Sequence, residues 1–297
     1  MVTHSELPPQ YQIPQTNHVV AEFGIHYYEE YKRWYQSSNS IINLATKTEQ
    51  ELYRLKDKLE SKGIKLIVFR EPDIGGFITA IGLIPGPLNK KLLSNLPLAG
   101  KILPDVEQTT ERLKQRKSIV YEMSQCYQDK GNTQTILQHG HAVYQQLLKL
   151  INNPEAIHGL KTLTTEQICI LRDKVLELDA WTIESYTVMH DMGKPFCKLG
   201  DSFPDHANKS FEYWNKISTN KTVGELIKND MLFHTARTSE DIFSLGLSNN
   251  VLATLALTAL AELQSNAITL FGGFDSDSYK IKRKRLEKNI KLLLERL

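Results

Sequence analysis

The chain has only three cysteines among its 297 residues, Cys126, Cys169 and Cys197, and no two of them are spaced as Cys-x-x-Cys. So sparse and odd a set excludes a disulfide framework and a thiolate zinc knot. It suits a reducing compartment, and a cytoplasmic location is expected. Long hydrophobic runs are missing as well. No stretch of about 18 apolar residues occurs, and no apolar core follows a basic start, so neither a membrane span nor a signal peptide is expected. Charge of one sign is not in excess: 36 basic residues stand against 34 acidic ones, for a formal net charge of +2. The molecule as a whole therefore projects no strong field toward nucleic acid or an anionic membrane, and any attraction for phosphate has to be local. There is no internal repeat or low-complexity tract.

What is present is enough apolar material, 41% of the residues, for an ordinary buried core in one large domain or two smaller ones. Residues 1–18, rich in Pro, Gln, Thr and Ser, lack periodicity and read as a flexible arm. Over 19–37 the residues Val20, Phe23, Tyr27, Tyr31 and Trp34 recur at helical spacing. A short strand is expected at 40–44, a charged helix at 48–62 ended by Gly63, and strands at 64–69 and 77–84 around the turn-rich segment 71–76. This alternation describes a small α/β layer domain over 19–105. Beyond it the periodicity is helical throughout, with the strongest helices at 164–189, 221–231 and 251–270. An all-α domain is therefore expected over 115–297, and the fold class is α+β with two domains. The last segment carries a basic stripe, Lys280, Lys282, Arg283, Lys284, Arg285 and Lys288, which reads first as a solvated helix face, with phosphate binding as the alternative.

Within the helical region, His139, His141, His190, His206 and His234, five of the nine histidines, are where a metal site is sought. Imidazole and carboxylate together suit first-row divalent metals, and the absence of nearby cysteine argues against structural zinc. The doublet His190-Asp191 is the most informative feature. Neighbouring side chains on a helix diverge by about 100°, so both can reach one ion only at a helix end, which Gly193 and Pro195 supply.

The run His190-Asp191-Met192-Gly193-Lys194-Pro195 resembles the defining motif of HD-domain metal-dependent phosphohydrolases. That resemblance implies an upstream histidine ligand at His139, four residues before Val143, with His141 on another face of the same helix. It also implies that His206 and His234 are the two extra histidines of the subgroup holding two metals, and that a last carboxylate comes from a buried helix. Glu262, within Leu260-Ala261-Glu262-Leu263-Gln264, stands where the family has Asp; burying a carboxylate there is expensive unless it is paired or metal-bound. Asp230, Asp275 and Asp277 are the alternatives. The segment over 260–284, with Phe271-Gly272-Gly273-Phe274, is also similar to HD proteins of tailed phages. The implied cofactor is one or two divalent ions (Mn, Fe, Mg, Ni, Co or Zn). The implied reaction is hydrolysis of a phosphate ester or anhydride by metal-activated water, with Asp191 and Lys194 catalytic. Lys194 would bind phosphate as a mobile point charge. Lys209 and Arg237 lie three residues after His206 and His234 and are further candidates for substrate binding.

The N-terminal segment has a likeness of its own. Gly63-Ile64-Lys65-Leu66-Ile67, the turn at 71–76 and Thr79-Ala80-Ile81-Gly82-Leu83-Ile84-Pro85-Gly86-Pro87 are similar to the C-terminal half of archaeal and eukaryotic-type peptidyl-tRNA hydrolases. Glu71 and Asp73 replace that family's Asp-Ala-Gly-Arg-Thr run, and no opening strand with its Lys is recognisable, so the likeness implies a scaffold without that chemistry. The expected partner is a phosphorylated small molecule or nucleotide, or an RNA end, with RNA contact through the N-terminal domain and none with a membrane. Two other readings stand beside the hydrolase. One is a peptidyl-tRNA hydrolase or tRNA-binding module with a patch at Tyr27, Tyr28, Lys32, Arg33 and Trp34; the other is a di-iron oxygenase on the HD scaffold.

Overall fold

The computed structural model describes the chain except residues 85, 101–105, 129–130, 132, 157–159 and 201 and the side chains of 87, 156 and 268. The chain is mixed α/β and falls into two compact units, Met1–Lys117 and Ser118–Leu297.

In the first unit four strands, β1 (Val2–His4), β2 (Leu44–Thr46), β3 (Leu66–Glu71) and β4 (Phe77–Leu83), form one sheet in the order β2-β1-β4-β3. β1 runs parallel to β2 and antiparallel to β4, and β3 and β4 make an antiparallel pair with an irregularity between Phe69 and Arg70. The unit also holds helices α1 (Pro9–His26), α2 (Tyr28–Ser37), α3 (Glu49–Glu60) and α4 (Pro87–Leu93). All seven residues of β4 are buried, because both α1 and α3 pack against it. Val19 and Phe23 of α1 join Ile67 and Ala80 in one apolar cluster. Thr48 caps α3 by accepting from the Glu51 N–H, and Gly63 takes the left-handed conformation (φ 68°) that lets the chain turn back into β3.

Four expectations need correction here. Residues 1–18 are not a loose arm: Val2, Thr3 and His4 are an inner strand and α1 begins at Pro9, with Pro14 inside it. Backbone pairing on both sides of β1 supplies an order that side-chain periodicity did not signal. The helix expected over 19–37 is two helices that meet at Tyr27, and the strand expected at 40–44 begins only at Leu44. The expected domain edge at 115 falls inside α5 (Val106–Gln125), and the part of it at 101–105 lies outside the described residues.

The second unit is helical, with only isolated β-bridges outside its helices among the described residues. It comprises α6 (Ile136–Asn152), α7 (Thr165–Val175), α8 (Ala180–Met189), α9 (His206–Ile217), α10 (Lys221–Lys228), α11 (Leu232–Thr235), α12 (Ser239–Phe243), α13 (Asn249–Thr269) and α14 (Asp277–Leu294). The long helix expected over 164–189 is thus broken, because Asp179 accepts from the Thr182 N–H and starts α8 anew. α13 lies against α6 and α7, and α6 crosses α8. From Val251 to Ala261 every residue of α13 is buried. No helix among the described residues is long and apolar enough to cross a membrane.

His4 is completely enclosed, and neither ring nitrogen has a hydrogen-bond partner. Burial pushes its pKa from 6.5 down to about 4, with Glu49 raising it and Arg116 lowering it by smaller amounts. The folded protein excludes a proton that the unfolded chain takes up. The associated stability is therefore complete above the unfolded pKa and is lost as pH falls through the window between the two values. A shift of that size corresponds to roughly 3 kcal/mol. Replacing the ring by an apolar side chain, His4→Leu, is expected to flatten this part of the pH dependence of the urea midpoint relative to wild type. Parallel slopes in the two proteins would show that His4 is not the titrating group.

Candidate metal centre

His190 is the C-cap residue of α8 and Asp191 is the first residue beyond it, so the doublet lies where the helix stops, as its sequence requires. Two close approaches bring partners to it. A Cβ on Gly140 would stand 2.3 Å from the Val188 carbonyl oxygen, so only glycine lets α6 cross α8 closely enough to bring neighbouring His139 to His190. A Cβ on Gly193 would stand 2.3 Å from the Ser210 nitrogen; instead the Gly193 N–H donates to Ser210 Oγ at 2.9 Å and docks the turn on α9. Asp205, in the left-handed region (φ 55°), turns the chain so that His206 opens α9. α13 contributes Glu262, its only charged residue, and α11 contributes His234.

These side chains converge. Asp191 Oδ2 is 3.2 Å from His190 Nε2 and 3.6 Å from His139 Nε2, and its Oδ1 is 3.6 Å from His206 Nε2. Glu262 places Oε1 3.7 Å from His139 Nε2 and Oε2 3.1 Å from His234 Nε2. Asp230, buried, accepts from the Tyr186 hydroxyl at 2.7 Å. The Nδ1 atoms of His190 and His206 lie 2.9 and 3.1 Å from the carbonyl oxygens of Thr187 and Phe203. A carbonyl only accepts, so each Nδ1 carries a proton and each Nε2 is the ring atom that faces the carboxylates.

The electrostatics follow from this crowding. Burial is the largest influence on His190 and disfavours its charged form, yet Asp191, Asp230 and Glu262 together outweigh it and raise the pKa to about 10. Burial works against the charged form of Asp191 too, but His190 and Lys194 hold its carboxyl well below the usual range. Burial likewise opposes ionisation of Glu262, and His139 and His234 overcome it, so this carboxyl also stays ionised. For His234 burial is outweighed by the hydrogen bond and the charge of Glu262, and its pKa rises.

A metal fits this donor set. Both ring nitrogens of His139, Nε2 of His190 and Oδ1 of Asp191 are fully buried with no hydrogen-bond partner, a condition that costs about 1–3 kcal/mol per group unless something binds them. Two groups have the reach for an ion, with ligand atoms all within 4.8 Å of one another: His139, His190 and Glu262, and His190, Asp191 and Asp230.

Of the residues expected from the sequence, His139, His190, Asp191, His206, His234 and Glu262 are brought together, and Asp230 joins them. Asp275 and Asp277 do not, being exposed at the approach to α14 and in its first turn. Lys194 is at the site but is not a mobile charge: it is buried, with Nζ 2.5 Å from Asp191 Oδ2 and 3.0 Å from Gln128 Oε1. Lys209 is turned to Glu212 at 2.8 Å, and Arg237 lines a different cavity, so neither converges on the histidines. A cavity of about 250 Å³ beside His234 is lined instead by Lys282 and Arg285, with Ser278 and Phe233. These two cations and Tyr186 were missed as site residues, although the basic stripe was the available signal for Lys282 and Arg285. No family model, curated protein or solved structure matches the chain.

The close crossing at Gly140 and the charge of Glu262 are separately testable. Gly140→Ala is expected to destabilise the helical unit by about 1–3 kcal/mol through overpacking, read from denaturant midpoints. Glu262→Gln should weaken binding of a divalent ion at least about tenfold by calorimetry, while Asp275→Asn leaves it unchanged. Equal affinity in wild type and Glu262→Gln would remove Glu262 from the ligand set.

Proposed function

We propose that the chain is a metal-dependent phosphohydrolase of the HD type, acting on a phosphate ester or anhydride such as that of a nucleotide or an RNA end. One observation carries this reading: imidazoles and carboxylates meet in a buried cluster in which both ring nitrogens of His139, Nε2 of His190 and Oδ1 of Asp191 have no hydrogen-bond partner among the described residues. His139, His190, Asp191 and Glu262 would hold a first divalent ion. Asp230, His206 and His234 extend the donor set enough for a second. When bound, such an ion supplies Lewis acidity, bringing the pKa of water toward neutrality and polarising a phosphoryl oxygen.

The remaining work falls to side chains of this protein. Lys194 is a positioning residue, since its ammonium clamps Asp191 Oδ2 and leaves Oδ1 directed at His206. Gln128 and the Phe203 ring hold that ammonium in turn. Lys282 and Arg285 provide positive charge beside His234, where an anionic group can enter. The enclosure of the cluster keeps bulk water away and strengthens each of these interactions.

His190→Ala and Asp191→Ala are each expected to lower phosphate release across a nucleotide panel by a factor of at least about a hundred and to reduce bound metal, with helical circular dichroism retained. Lys282→Ala should raise KM more than it lowers kcat. Full activity in purified His190→Ala or Asp191→Ala would reject the hydrolase reading.

A further inference from the structure

A cavity of about 1480 Å³ lies along α14, between that helix, the Lys161-Thr162 segment and the turn Thr235-Ala236-Arg237. Eight of its sixteen lining residues are cationic and two are acidic, so it is strongly positive in a chain whose net charge is only +2. One of the two acids is already engaged. Glu287 accepts from the Lys161 N–H at 3.0 Å, from the Thr162 N–H at 2.9 Å and from the Thr162 hydroxyl at 2.5 Å, and it lies 3.5 Å from Arg283 Nε. Lys280, Lys284, Arg285 and Lys291 meet no carboxylate at ion-pair distance among the described residues. Lys280, Lys284 and Lys288 stack at four-residue steps, a like-charge arrangement that destabilises a helix on its own.

We infer that this groove binds a strand of nucleic acid by its phosphates. The size of the cavity favours a strand over a free nucleotide, because small-molecule pockets usually enclose about 300–1,000 Å³. Its length agrees. The lining runs from Lys280 to Glu295, roughly 22 Å of helix at ~1.5 Å per residue. A strand with the ~3.4 Å rise per phosphate of a duplex would set some six phosphates along it, and a more extended single strand fewer. Among the described residues no aromatic side chain lines the groove, so the backbone is what it holds. Ile281 and Arg285 line both this groove and the smaller cavity beside His234, and Asn289 of α14 donates to the Phe233 and Ala236 carbonyls on either side of that histidine. A strand in the groove therefore lies next to the candidate metal centre. The binding itself does not depend on the hydrolase reading.

The test is fluorescence anisotropy of the full chain with a labelled unstructured RNA of about 20 nucleotides, in EDTA, over about 50 to 200 mM salt. Binding should weaken by about two orders of magnitude across that range. The double variant Lys280→Glu/Lys284→Glu, altered at two exposed positions, should bind at least about tenfold more weakly with a shallower salt slope, while its bound metal and its helical dichroism match wild type. Failure of wild type to bind at the lowest salt, or unchanged affinity in the double variant, would overturn the inference. So would inorganic triphosphate competing as well as the strand at equal phosphate concentration, which would make the groove a small-anion site. Because EDTA is present, a protein without any hydrolase activity would still give the expected binding.

Discussion

Asp191 and Glu262 stay ionised inside the helical unit, and this concentration of negative charge is the constraint on which the surrounding structure turns. Asp191 is about as buried as any apolar residue in the core, with Asp230 close by. In a medium of low dielectric, carboxylates so close together are tolerated only if cationic or metal-binding partners surround them. The chain answers with histidines from α6, α8, α9 and α11 and with the ammonium of Lys194. These do not use up every acceptor, since Asp191 Oδ1 and His190 Nε2 still lack a hydrogen bond. The remaining deficit leaves a donor set that could hold a metal ion.

That packing is achieved with small residues and helix ends. Gly140 allows two helices to cross at near contact, and Gly193 does the same for the turn after the doublet. Ending α8 at His190 lets consecutive residues point at one place, which a continuing helix would forbid. Rigid helices then carry the ligands, while a capping interaction at Asp179 fixes where α8 begins. The result is a set of donors carried on helices and on the turns that directly follow them.

Positive charge is distributed by the same logic. With a near-neutral total, attraction for anions depends on placement, and α14 gathers the cations on one side of the helical unit. Its face near His234 supplies Lys282 and Arg285, and the rest of it lines the larger groove. The helix is also braced to the candidate metal centre, because Asn289 holds the segment that carries His234 and Lys288 reaches the Arg237 carbonyl.

Much of this was legible in the sequence. The change from mixed to helical structure, the strands of β3 and β4, the helix of α3 with its glycine stop and the apolar helix bearing Glu262 all follow from periodicity and local turn chemistry. His139, His190, Asp191, His206, His234 and Glu262 could be named from a motif and from the cost of burying charge. The sequence could not reveal β1, because three residues pair with strands that lie far along the chain. It likewise could not show that Lys194 is clamped by Asp191 and Gln128, that Lys209 turns away to Glu212, or that Lys282 and Arg285 lie beside His234. Residue type and spacing determine which side chains have the chemistry and which local elements form. Which of them meet is decided only by long-range packing, since distances between helices depend on contacts that no local pattern encodes.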